Sequence, residues 1–188
     1  NQNPKVKITA NSIVPDLLWQ AECLKDTSIF QQFPDENSLN NVIKNIIPNY
    51  YQDWNCDIII DRSVWGTDGN LELLQKYCPN ELKFICPVRG INNVLASFMY
   101  QYYLSGALDI KNEDDVIYQC NALATQEDGH IAKGMWCIEN FTKDKYKDKV
   151  YFMHYDNFCD NPQQELSNIY KFLEIEEYKH DLNNVQQY

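Results

Sequence analysis

Three short apolar runs most constrain the fold: "DIIID" at 57–61, "KFICPV" at 83–88 and "KVYFMHY" at 149–155. All three are strand-sized, far short of the roughly 20 apolar residues a membrane span needs. "KVKIT" at 5–9 reads as a further short strand. "DIIID" is apolar throughout between its charged ends, the pattern of a strand buried on both faces of a sheet. Between the runs, apolar residues return at helical spacing. Leu17, Leu18, Ala21 and Leu24 mark a helix over 14–27 with Pro15 in its first turn. Leu39, Val42, Ile43, Ile46 and Ile47 form one face over 36–54, with Ser38 as the expected N-cap and Pro48 as the expected break. Further helices are expected over 71–77, 91–106 (closed by Gly106), most of 113–141, and 161–175. Strands alternating with helices imply parallel βαβ crossovers. The expected architecture is an α/β fold, a three-layer parallel sheet flanked by helices, in a single domain over residues 1–188. Pro87 is the discordant residue, because it removes a ladder donor from inside a strand.

Charge narrows the ligand classes. The net charge of −11 argues against a broad nucleic-acid surface. It leaves room for a small anion held by a local cluster of donors. The seven cysteines include no CxxC pair and no zinc-ligand spacing, so reduced, structural thiols are expected and no metal. With no signal-peptide pattern at the start, this cysteine set points to a cytoplasmic protein without a membrane span.

Within "FICPVRGINNVLASFMYQYY", Arg89 ends a strand, Gly90 follows, and Ser97 stands about two turns into the next helix. Ligands of parallel α/β sheets bind beyond the carboxyl ends of the strands. A helix N-terminus there already favours an anion. Arg89 adds a planar donor fork suited to phosphate, and Ser97 adds a hydroxyl. Spacing alone leaves two readings open: a phosphate grip, or an arginine paired with a surface carboxylate and a serine on a solvated face.

The surrounding text bears on that choice. "KFICPVRGINNVLASF" resembles the segment of PAPS-dependent sulfotransferases in which an Arg ends a strand and a Ser follows eight residues later. "VYFMHYDNFCDNPQQELSNIYKFLEI" is similar to the same family's strand, its Tyr-acidic pair (Tyr155, Asp156), its Asp-x-Pro (Asp160 to Pro162) and its "FL" helix (Phe172, Leu173). The opening "NQNPKVKITANS" looks like the text that follows the family's phosphosulfate loop. The resemblance implies a P-loop-type α/β fold of the sulfotransferase kind. It also implies transfer of a sulfuryl group from 3′-phosphoadenosine 5′-phosphosulfate (PAPS) to a hydroxyl or amine acceptor, with PAP as product and no metal. By the same resemblance, Arg89 and Ser97 would bind the 3′-phosphate. Tyr155 would contact the nucleotide, its other reading being a core tyrosine. Arg62 would stand near the place of a lysine that serves the sulfate side of the donor, its other reading being an ion pair with Asp61 or another acid.

The chain also departs from the pattern. No Gly-rich phosphate loop occurs in these 188 residues, so the chain is expected to be truncated at both ends. Asn11 stands where some relatives carry a catalytic Glu, and an amide cannot act as a general base. Glu127, Asp128 and His130 in "TQEDGH" are loose candidates for that role, with a polar surface turn as the blander reading. His154 and the cluster Phe98, Tyr100, Tyr102 and Tyr103 are expected in the core. A P-loop kinase-like nucleotide enzyme and a non-catalytic sulfotransferase-like interaction domain are the alternative functions.

Overall fold

The computed structural model describes residues 2–78, 82–107 and 110–185. They fall into two compact units, Asn1–Glu81 and Leu82–Tyr188.

The first unit holds strand β1 (Val6–Ile8), helices α1 (Val14–Cys23), α2 (Ser28–Gln32), α3 (Glu36–Lys44) and α4 (Ile46–Tyr50), strand β2 (Ile58–Ile60) and helix α5 (Asp68–Tyr77). β1 and β2 pair in parallel, Val6 opposite Ile58 and Ile8 opposite Ile60. The expected burial of β2 on both faces is not met, because Ile59 is 37% exposed. α1 packs against α3, α4 and α5. Val14, Leu18 and Ile43 are fully buried there, while Val42, expected on the same apolar face, is exposed. The helix expected over 14–27 is α-helical only to Cys23 and tightens to a 3₁₀ turn over Leu24–Asp26.

Two capping expectations change. The N-cap of α3 is Asp35 rather than Ser38: its Oδ1 accepts the Ser38 N–H at 3.0 Å, and its Oδ2 accepts the Ser38 hydroxyl at 2.7 Å. The helix therefore starts earlier, on the residue with two acceptor oxygens. Its break falls at Asn45, not at Pro48. Pro48 lies in the first turn of α4, where its missing N–H costs nothing.

A charged cluster ties α1 to α3 and α5. Glu22 receives Lys25 at 2.8 Å, Lys76 at 2.6 Å and the Tyr77 hydroxyl. The hydroxyl oxygen of Tyr77, itself buried, also lies 3.0 Å from Asn40 Oδ1. Burial raises the Glu22 pKa, but the bonds from Lys25, Lys76 and Tyr77 outweigh it and hold the carboxyl down at about 2. A depressed carboxylate contributes stability that is complete above its unfolded value and is lost as pH falls through the folded one. Wild type should therefore exceed Glu22→Gln in urea midpoint at pH 6. The gap should close between about pH 4.5 and 2.

The second unit holds strand β3 (Phe84–Val88), helices α6 (Ile91–Ser105), α7 (Glu113–Thr125) and α8 (His130–Phe141), strand β4 (Val150–His154), and helices α9 (Tyr155–Asp160) and α10 (Pro162–Leu173). β3 and β4 pair in parallel from Phe84–Val150 to Val88–His154. Pro87 fits after all. Phe84 N–H donates to Lys149 C=O at 2.8 Å, and ladder groups alternate between the two edges of a strand. Pro87 thus turns its missing donor away from β4. Rings of Phe84, Phe141 and Tyr146 pack beneath the sheet, with Phe84 and Phe141 centred 4.9 Å apart. Gly106 closes α6 at φ 65°, a left-handed position that suits glycine. Gly129, before α8, is required for a different reason. A Cβ there would lie 2.5 Å from the Leu123 carbonyl oxygen and 2.8 Å from that of Ala122.

The fold is thus α/β with parallel strands. The described strands form two separate pairs, not one continuous three-layer sheet. The strands are three to five residues long and each pair lies within one unit.

Candidate functional site

The register of β3 with β4 determines the candidate site. Val88 lies opposite His154, so the next residues, Arg89 and Tyr155, emerge side by side at the carboxyl ends of two parallel strands. The Arg89 guanidinium carbon lies 4.6 Å from the centre of the Tyr155 ring. Its Nε lies 3.5 Å from Asp156 Oδ1. The Arg89 side chain is 33% exposed and that of Asp156 is 64% exposed. A guanidinium over a tyrosine face gains from the ring quadrupole.

Gly90 is the N-cap of α6, and no side chain caps that helix's first turn. Ser97 follows on the same helix. It is exposed, and its hydroxyl makes no hydrogen bond among the described residues. The second unit therefore offers a guanidinium, an uncapped helix start and an open hydroxyl along one strand-to-helix connection. Together they offer several donors at one place, which suits an anion. The structure gives Arg89 two neighbours. It does pair with a surface carboxylate, Asp156, and it also stands at the tip of a strand beside Tyr155. Tyr155 is not a core tyrosine, since it is 41% exposed and begins α9.

Arg62 belongs to the first unit, just beyond β2, and its side chain is exposed. The alternative reading, an ion pair with Asp61, is not what forms. Asp61 is already occupied: its Oδ2 accepts the Ser12 hydroxyl at 2.6 Å and the Tyr51 hydroxyl, and its Oδ1 accepts Trp65 Nε1 at 2.9 Å. Burial, then the bond and charge of Asp61, raise the Tyr51 pKa well above its ordinary value. The Arg62 backbone is fixed on both sides. Its N–H donates to Thr9 Oγ1 at 2.7 Å, and its C=O accepts the Ser12 N–H at 3.1 Å. Sequence reading missed this network. The signal was present in the charged residue that ends "DIIID", but only Trp65 is close by, while Tyr51 and Ser12 lie 10 and 49 residues back along the chain.

Several other expectations are corrected. His154 is exposed rather than in the core. Tyr100 and Tyr103 are 63% and 72% exposed, so the aromatic cluster of α6 is not core packing as a whole. Phe98 turns to the loose base candidates instead. Its ring stacks on His130 with centroids 5.3 Å apart and planes within 3°. That contact ties the start of α8 to the helix that carries Ser97. Glu127 and Asp128 are exposed in the turn before it, and Asn11 is exposed beyond β1. The seven cysteines are free thiols; burial, then the neighbouring Cys137, push that of Cys86 up to about 11. Among the described residues no cluster of His, Cys, Asp and Glu could hold a metal, and no helix is long and apolar enough to cross a membrane.

Residues 67–188 match the family model described as Sulfotransferase domain. The chain belongs to the sulfotransferase domain family. The match includes Arg89, Ser97, Tyr155 and Asp156, and Arg62 lies just before it. No curated protein matches the chain. Within this sulfotransferase domain the strand-tip arginine, the helix serine and the tyrosine that starts α9 all lie in one compact unit.

Proposed function

We propose that the chain binds PAPS and moves its sulfuryl group to a hydroxyl or amine acceptor. The observation that carries this reading is the Arg89–Tyr155 contact at the carboxyl ends of β3 and β4. The residues present fit the nucleotide end of such a donor. Arg89 offers a charged fork to the 3′-phosphate, Ser97 offers a hydroxyl, and the first turn of α6 offers backbone N–H groups. Tyr155 supplies an exposed ring for the nucleoside and a contact beside the guanidinium. Arg62 is the cation proposed for the sulfate side, and the full sheet is proposed to be the three-layer arrangement of the family.

PAPS would supply an activated sulfuryl group: the acceptor oxygen or nitrogen bonds to sulfur in line as the bond from sulfur to the 5′-phosphate oxygen breaks, so PAP leaves and the acceptor gives up its proton. The protein's part is positioning and charge stabilisation, by analogy with phosphoryl transfer. Arg89 and Ser97 fix one end of the donor, which limits where the reacting sulfur can sit. The test is thermal unfolding of the chain with and without PAP. A ligand at about 100 times its Kd stabilises by about 2.7 kcal/mol, a shift of several degrees for a protein of this size. An unchanged Tm at millimolar PAP would overturn the reading.

A further inference from the structure

Among the described residues, Asp156 is the acidic group in contact with Arg89, the proposed phosphate-binding cation, and its geometry is informative. The Arg89 Nε lies 3.5 Å from Asp156 Oδ1, longer than a charge-assisted hydrogen bond. The attraction is therefore a loose Coulombic one on the Nε side of the guanidinium. A guanidinium also carries four Nη–H donors, which this contact does not use. Asp156 is 64% exposed and forms no other ion pair among the described residues. It lies in the first turn of α9, which holds it in place next to Tyr155.

A phosphate dianion on the free edge of Arg89 would share that guanidinium with the Asp156 carboxylate. Two opposing effects follow. As an orienting partner, an exposed carboxylate contributes little. As a like charge, at about 6 Å in water it opposes each ligand charge by about RT, and a dianion doubles this. The repulsion is the larger effect. We infer that Asp156 is a counter-ion gate that occupies Arg89 in the absence of nucleotide and lowers the affinity of every anion there by a factor that grows with the anion's charge. A free inorganic anion, with few contacts, then falls below useful occupancy. A nucleotide phosphate keeps enough affinity through the Ser97 hydroxyl, the α6 backbone and the Tyr155 ring. The inference rests on the reading of Arg89 as a phosphate site.

Calorimetric titration of the chain with PAP, and separately with inorganic pyrophosphate, tests it in wild type and Asp156→Asn at 20 and 200 mM NaCl (two conditions of the experiment). The Asn variant should bind both anions about three- to tenfold more tightly at the lower salt, and the gain should shrink at the higher one. Asp156→Glu, which keeps the charge, should return to wild-type affinity. Equal or weaker binding by Asp156→Asn would overturn the gate and make Asp156 a positioning residue. Asp156→Ser repeats the comparison if the Asn variant does not fold. Failure of the parent reading looks different: wild type would not bind PAP, while the pyrophosphate ratio between variant and wild type would still decide the gate.

Discussion

Arg89→Ala should abolish the stabilisation that PAP confers and weaken PAP binding by about tenfold to a hundredfold or more. The size follows from the chemistry at stake. One hydrogen bond to a charged group contributes about 1.5–3 kcal/mol, and a planar fork on phosphate makes two. Alanine also removes the guanidinium over Tyr155, so the ring is left without the partner that orders it. Arg89→Lys should recover part of the loss, because an ammonium restores the charge but not the fork. Titration calorimetry of the three proteins measures the series. Arg89 is one-third exposed and pairs only loosely with Asp156, so the ligand-free Tm should change by a few degrees at most. Equal PAP affinity in wild type and Arg89→Ala would exclude this arginine from the site.

The largest stability effect is expected far from that site. Leu18 on α1 is completely buried, beneath the contacts of α1 with α3 and α5. Leu18→Ala removes several buried carbons and leaves a cavity that the packed helices fill only in part. Such changes cost about 2–5 kcal/mol. Val42→Ala is the matched control. Val42 is 60% exposed on α3, so its loss should stay within about 0.5 kcal/mol. Urea unfolding, followed by the tryptophans Trp19, Trp54 and Trp65 of the first unit, compares the two. Similar midpoints for both variants would mean that α1 is not the keystone of that unit.

The elements that were legible in advance share one property: their signal is local. A short apolar run bounded by charged or turn residues reports a strand, and β2, β3 and β4 all fall inside the expected runs. Gly106 after a long apolar helix reports a left-handed cap, and the backbone there is left-handed. The same holds for Arg89 at the end of β3 and Ser97 on α6, whose positions follow from the strand–Gly–helix pattern.

What was not legible depends on which partners actually meet, whether near or far along the chain. Ser38 looked like a cap because it has a hydroxyl, but Asp35 offers two acceptors and takes both Ser38 donors. Val42 and Ile43 are neighbours on an apolar helix, yet one is exposed and the other fully buried, because only the packing partner decides which side counts. His154 is in an apolar run but sits at the strand tip, where no neighbour covers it.

From the residues alone, then, came the order of strands and helices, the positions of Arg89 and Ser97 on them, and the family likeness, because each is written in contiguous residues. Only the tertiary structure decided that Tyr155 and Asp156 flank the guanidinium of Arg89. That juxtaposition links residues more than sixty positions apart, and it arises from the register of two parallel strands, which no local pattern encodes. The tertiary structure likewise decided that the oxygens of Asp61 are taken by Ser12, Tyr51 and Trp65, with no ion pair to Arg62. A carboxylate at a strand end can choose among several donors, and the chain's three-dimensional path is what brings those donors within reach.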